Sequence, residues 1–165
     1  MEQGMQQHQM SPEMMRKHYR TFGLNLAISA LVMYFVMFTM IYSFSEFFNN
    51  LNMVYMALMM AAPMGILMLL MMGSMYADRK LNMILHASFA AIFILALIGM
   101  RTQALVGDSQ FLRSMIPHHS GAILMCEQAS IKDAEIQSLC GNIIQSQKAE
   151  IGQMKAILAR QGAAR

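Results

Sequence analysis

The chain has 165 residues and a formal charge of +3, and 56% of its residues are hydrophobic against only 13% charged, about half the charged share of an ordinary soluble protein. That balance excludes a typical soluble surface and points to lipid, while the scattered Lys and Arg form no basic run that would grip nucleic acid. Twenty-two methionines and no tryptophan make methionine the bulk apolar filler, or a store of sulfur.

The first segment, residues 1–23, reads as a Met/Gln-rich cytoplasmic arm: "MEQGMQQHQMSPEMM" places Met5, His8, Met10, Met14 and Met15 among glutamines. It is either a polar arm with too little apolar surface to fold, or a weak collector of metal. Three apolar stretches follow over residues 24–100, at Leu24 to Phe44, Met53 to Tyr76 and Met83 to Met100. Each is near the twenty or so residues that cross a hydrocarbon core of about 30 Å, so three transmembrane helices are expected. The first begins too far into the chain, and lacks a small-x-small site after it, to be a cleaved signal; it stays as an anchor. Arg16, Lys17 and Arg20 precede it, the loop "SEFFNNLN" carries no Lys or Arg, and the next loop carries Arg79 and Lys80. Positive charge therefore places the N-terminus in the cytoplasm and everything after Arg101 outside, in the periplasm of a bacterial inner membrane. Arg101 itself sits on the wrong side and is outvoted. Tyr19 and Tyr76 fall at the inner boundary and Tyr42 and Tyr55 at the outer, as in an aromatic belt.

Within the second stretch Met56, Met60, Met64, Met68 and Met72 recur every fourth residue around Pro63. They could form a thioether ladder through the bilayer, and locally resemble the Met-x-x-x-Met element of the eukaryotic high-affinity copper transporter family, which also has three crossings. Against that, an i+4 row drifts by about 40° per step, and Ala57, Ala61 and Gly65 form a small-x-x-x-small row suited to close helix contact. His86, one turn inside the third stretch, is costly in lipid and so a functional candidate, although it can snorkel.

Residues 101–165 change to mixed polar and apolar spacing. Asp108 or Ser109 is placed to cap a helix running to about Ser130, broken or bent at Pro117, and Asp133 a second running to about Arg160. Ile136, Leu139, Cys140, Ile143, Ile144, Gln147, Ile151, Met154 and Leu158 share one face of the second arm. The expected fold is therefore all-α: three transmembrane helices followed by an extracytoplasmic antiparallel helical hairpin. A hairpin this small buries too little alone, so it should pair with a second copy or lie on the membrane helices. A dimer completing a four-helix bundle is favoured.

The chemistry concentrates in "FLRSMIPHHSGAILMCEQ". On a helix Met115 lies one turn from His118 and His119, and further steps reach Met125 and Cys126, gathering thioether, imidazole and thiol on one side. These are soft or borderline donors of the kind that favour Cu(I) or Ag(I). An antiparallel pairing about the Ser130–Asp133 turn brings both histidines level with Ile144 to Lys148, with Gln147, Glu150 and Met154 flanking that level or a turn or two beyond it. The alternative is that the histidines are exposed or satisfied core groups. In an oxidising compartment Cys126 and Cys140 could form a disulfide across the hairpin, but that same pairing leaves them about a turn out of register; the other readings are small core hydrophobes and thiolate ligands for a soft metal.

The pattern "DSQFLRSMIPHHSGAILM", an acidic cap and "NIIQSQKAEIGQMKAIL" resembles the family catalogued as domain of unknown function 305, over roughly the last sixty residues. Asp108, Phe111, Met115, His118, His119, Met125, Gln147, Glu150, Ile151 and Met154 match its motif positions; Cys126, Cys140 and Ile157 depart from it. The resemblance implies a ferritin-like extracytoplasmic bundle associated with copper or silver tolerance, with His118, His119, Met115 and Met154 as metal-site candidates. Members often carry two hairpins, so a single one favours pairing between chains. No nucleophile–base pair, phosphate loop or cofactor fingerprint is present, and the Glu-x-x-His pattern of diiron bundles is missing. The reading is a membrane-anchored Cu(I)-binding protein for sequestration, handover or tolerance, not an enzyme unless a metal-dependent oxidoreductase, with membrane lipid, a second copy of itself and copper-handling proteins as partners. A copper-conducting transporter and a purely structural oligomerising anchor are the alternatives.

Overall fold

The structure, a computed structural model, describes residues 11–163, and every helix in them is accounted for by local signals. They form α1 (Pro12–Val36), α2 (Leu51–Met71), α3 (Arg79–Thr102), α4 (Asp108–Gln128) and α5 (Ala134–Ala163), with short 3-10 turns at Met37–Met40 and Phe44–Glu46 between α1 and α2. Among the described residues there is no strand. Met5, His8 and Met10 lie outside the described residues.

Helix α1 starts well before the apolar stretch expected from Leu24, so the segment to residue 23 is not a polar arm throughout. Ser11 caps it by accepting from the Met14 amide at 3.3 Å, Pro12 occupies the first turn, where its missing N–H costs nothing, and Glu13 favours the helix dipole. Asn50 and Asp78 cap α2 and α3 in the same way, each accepting an amide three residues on at 3.0 Å. At the far end of α3, Gln103 adopts a left-handed conformation (φ 52°) and the Ala104 amide bonds back to the Gly99 carbonyl, a helix stop usually given to glycine.

Helix α2 is the centre of the membrane-type bundle, packed by α1 on one side and α3 on the other. Its small-residue row makes this possible, because Ala57, Ala61 and Gly65 are all buried. A Cβ on Gly65 would lie 2.9 Å from the Phe89 ring and 3.1 Å from Leu26 Cδ2, so α1 and α3 both close on that point. The methionine row spirals as its period requires: Met56 and Met60 face outward, while Met64 and Met68 turn into the core around Phe22, Leu26, Ala61, Leu69 and Tyr76. Leu24, Leu31, Leu70, Met83 and Leu95 remain exposed around the outside. All three helices are long and apolar enough to cross a membrane.

Tyr76 does not face outward as a belt residue. It is buried, its ring 5.3 Å from Tyr19 and 5.4 Å from Phe22, and the Tyr19 hydroxyl donates to Asn82 Oδ1 at 2.6 Å. These residues plug one end of the bundle. At the other end the Tyr55 hydroxyl donates to the Ala104 carbonyl at 2.6 Å and the Leu51 amide to Gln110 Oε1 at 3.0 Å, tying α2 to the start of the hairpin.

Helices α4 and α5 form the expected antiparallel hairpin around Leu112, Ile116, Ile123, Ile151 and Met154. Gly107, not Asp108, is the capping residue of α4, and Asp108 opens its first turn. The helix runs without interruption past the buried Pro117. Asp133 Oδ1 accepts from the Glu135 and Ile136 amides at 2.9 and 3.0 Å and so starts α5. The hairpin lies on the three-helix bundle through the loop between α1 and α2: Phe48 joins its core, and Gly121 sits against the Met40 carbonyl, where a Cβ would meet the oxygen at 3.4 Å. Ile136 and Leu139, expected against the first arm, are exposed. Helix α4 ends at Gln128, so the first turns of α5 have no helix opposite them.

Candidate metal centre

His119 is the best-determined member of the site. It is buried on α4, with Nδ1 2.9 Å from the Met115 carbonyl oxygen and Nε2 2.7 Å from Oε2 of Glu150 on α5. The register therefore differs from a pairing centred on Ser130–Asp133. Residues 129–133 form a non-helical link, bent at Ala129, and α5 begins only at Ala134, which sets His119 level with Glu150 and not with Ile144–Lys148. The same shift corrects the expectation for the cysteines: Cys126 and Cys140 are disulfide-bonded with Cα atoms 5.3 Å apart. In this form neither sulfur is a thiolate available to a metal.

Met115 precedes His119 by one turn on α4, and Met154 follows Glu150 by one turn on α5. In an antiparallel pair those are steps in the same direction, so the two thioethers lie level with each other, beside the imidazole–carboxylate level. Both belong to the hairpin's apolar cluster, Met154 buried and Met115 half-buried. The remaining candidates are less committed. His118 is exposed, its ring centroid 6.1 Å from that of His119, because successive helical residues point about 100° apart. Met125 is exposed and Gln147 half-buried. Among the described residues no three His, Cys, Asp or Glu side chains converge as a metal cluster. The arrangement thus assembles one imidazole nitrogen, one carboxylate and two level thioethers.

The hydrogen bonds of His119 define what it can do. Both of its partners are acceptors, so satisfying them together requires a hydrogen on each ring nitrogen or on the carboxyl group. With Nδ1–H kept on the Met115 carbonyl, Nε2 is the atom that can change partner, the usual disposition of a ligating histidine. Glu150 is half-exposed, so it can leave Nε2 without opening the core.

Next to this site stands a polar group that the sequence reading missed. Ser120 is fully buried; its hydroxyl donates to Glu46 Oε2 at 2.5 Å and accepts from the Tyr42 amide at 2.6 Å. Glu46 also accepts from the Ser43 amide at 3.3 Å, and Lys155 lies 3.8 Å from its other oxygen. Ser43-x-x-Glu46 is a capping box, a pattern legible in "SFSEFF". On the same face Lys148 bonds Glu127 at 3.0 Å and sits 5.2 Å over the Tyr42 ring, and the hydrogen bond to Glu127 raises its pKa.

The family model for a domain of unknown function (DUF305) matches residues 59–158. The chain belongs to this family. The match is not confined to the last sixty or so residues: it begins partway along α2 and takes in the rest of that helix, all of α3 and most of the hairpin. An uncharacterized protein of Acanthamoeba polyphaga mimivirus is 38% identical over 111 residues, which is 66% of this chain and 71% of that protein. No solved structure matches.

Proposed function

We propose that this family member is a membrane-anchored Cu(I)-binding protein whose hairpin takes Cu(I), or Ag(I), for extracytoplasmic sequestration or handover. The observation that carries the reading is the level pair Met115 and Met154 beside His119, whose Nδ1 is held and whose Nε2 is left to a displaceable carboxylate. Thioethers and a neutral imidazole suit a soft monovalent ion of low coordination number, which needs no cluster of carboxylates. In this scheme Glu150 holds Nε2 when metal is absent and would swing to solvent when metal arrives, the hydrogen between the two groups leaving to solvent so that Nε2 is free to ligate. Two features support an extracytoplasmic hairpin: the Lys/Arg asymmetry of the loops and the disulfide, which persists in an oxidising compartment. The uncovered Ile136 and Leu139 support pairing with a second copy. Binding of cargo, not catalysis, is the role proposed.

The test is Cu(I) affinity of the full-length protein against a competing chelator at neutral pH. Replacing His118 and His119 together should weaken binding by more than the roughly 10–100-fold lost with an outer-sphere partner, and His119→Ala alone should account for most of it. Met115→Leu or Met154→Leu should weaken it less. Affinity should also fall as pH drops, since a proton competes for Nε2. Unchanged affinity in the double-histidine variant would sink the copper reading.

A further inference from the structure

The end of the bundle opposite the hairpin holds a second group of soft donors. A cavity of about 400 Å³ opens between α1 and α2, and its walls include Met14, His18, Met68, Met72 and Met75. Helical spacing explains the gathering: Met14 and His18 are one turn apart on α1, Met68 lies in the last turn of α2, Met72 caps that helix with its amide on the Met68 carbonyl, and Met75 follows in the turn after it. The His18 ring is anchored as that of His119 is, with Nδ1 3.4 Å from the Met75 carbonyl oxygen. A hydrogen on Nδ1 leaves Nε2 with the lone pair that ligates. Among the described residues no Asp or Glu lines the cavity.

We propose that this cavity is a second binding site for a soft monovalent cation, Cu(I) or Ag(I), independent of the hairpin. Four neutral thioethers and one imidazole offer no charge to a divalent ion, and hard cations that demand oxygen gain nothing from sulfur. Lys17 also borders the cavity; its stem can line the wall while the ammonium stays in water. The site lies a helix length of about 30 Å from the outer loop that carries the hairpin, so neither site shares a ligand with the other. It also gives the methionine row of α2 a use that its spiral allows: only the last members, Met68 and Met72, reach this cavity, whereas Met56 and Met60 face outward.

The experiment uses full-length protein with the hairpin histidines replaced (His118→Ala, His119→Ala), labelled with ¹³C at the methionine methyls, and Ag(I) as the probe. Ag(I) should shift the methyl signals of Met14, Met68, Met72 and Met75 before any others. Met68→Leu with Met72→Leu should weaken binding by at least about tenfold, as should His18→Ala, because losing a ligand costs no less than losing an outer-sphere partner. Met56→Leu with Met60→Leu should change nothing. Shifts spread evenly over the membrane methionines, or centred on Met56 and Met60, would overturn the site, as would unchanged affinity in the Met68/Met72 and His18 variants. If the double leucine variant does not fold, the methyl map of the unsubstituted cavity decides. The hairpin reading stands or falls separately, on the difference made by the two histidine replacements themselves.

Discussion

At the scale of single residues, burial decides which polar groups are committed. Ser120 has no exposed surface and serves two partners at once, the Glu46 carboxylate and the Tyr42 amide. Ser120→Ala removes almost no volume but leaves the buried Glu46 carboxylate and the part-buried Tyr42 amide each short of a partner, so it should destabilise the protein by about 1–3 kcal/mol. The measurement is the thermal midpoint in detergent, and amide exchange should quicken in the outer loop ahead of α2. A variant as stable as the parent would show that the loop does not depend on this contact. His118 illustrates the opposite case: it is adjacent to His119 in sequence but exposed, because one helical step rotates it away from α5.

For the helices as elements, close approach rests on missing side chains. Gly65 is where α1 and α3 meet α2, and any added Cβ there falls within 3.1 Å of Leu26 as well as against the Phe89 ring. Gly65→Val should therefore cost about 1–3 kcal/mol through overpacking, read as a lower unfolding midpoint. Gly23, with nothing near its absent Cβ, is the control: Gly23→Ala should be neutral or stabilising, since alanine favours the helix. If both substitutions behave alike, the small-residue row does not set the packing. The hairpin is held by a different device. Its disulfide joins the end of α4 to the start of α5, at the level where α4 is running out and α5 has little apolar cover.

For the whole molecule, the hairpin and the membrane helices share one surface, made by the loop between α1 and α2. That loop stands on the side to which the positive-inside rule assigns the hairpin. In intact cells Cys126 and Cys140 should therefore resist alkylation until a reductant is added, and a reporter fused after Arg165 should behave as extracytoplasmic. Ready alkylation without reductant, or a reporter active in the cytoplasm, would reverse the orientation. The exposed Ile136, Leu139 and Met125 give the hairpin's free end an apolar face, and sedimentation of the detergent-solubilised chain should give a dimer. A monomer at all concentrations would assign that face to something other than a second copy.

Helix number and type were written in the chain, because an apolar run of membrane length and a 3.6-residue period are local properties that any fold of this sequence must respect. So were the cap at Asp133 and the close-packing row of Ala57, Ala61 and Gly65. Local signals also stand at Asn50 and Asp78, at Ser11-Pro12-Glu13 and at Ser43-x-x-Glu46, but polar residues at the edge of an apolar run fit a loop as readily as a cap, and only the helices' packing separates the two. What only the tertiary structure decided was register. A hairpin's pairing depends on the conformation of its link, and the non-helical residues 129–133 displace α5 by about a turn. That displacement joins Cys126 to Cys140 and puts Glu150 on His119. Contacts between distant elements were equally beyond reach: Ser120 to Glu46, and the cavity that unites Met14 and His18 with Met68, Met72 and Met75. Periodicity tells which face of a helix is buried, but the neighbour on that face is chosen by how all the helices pack together.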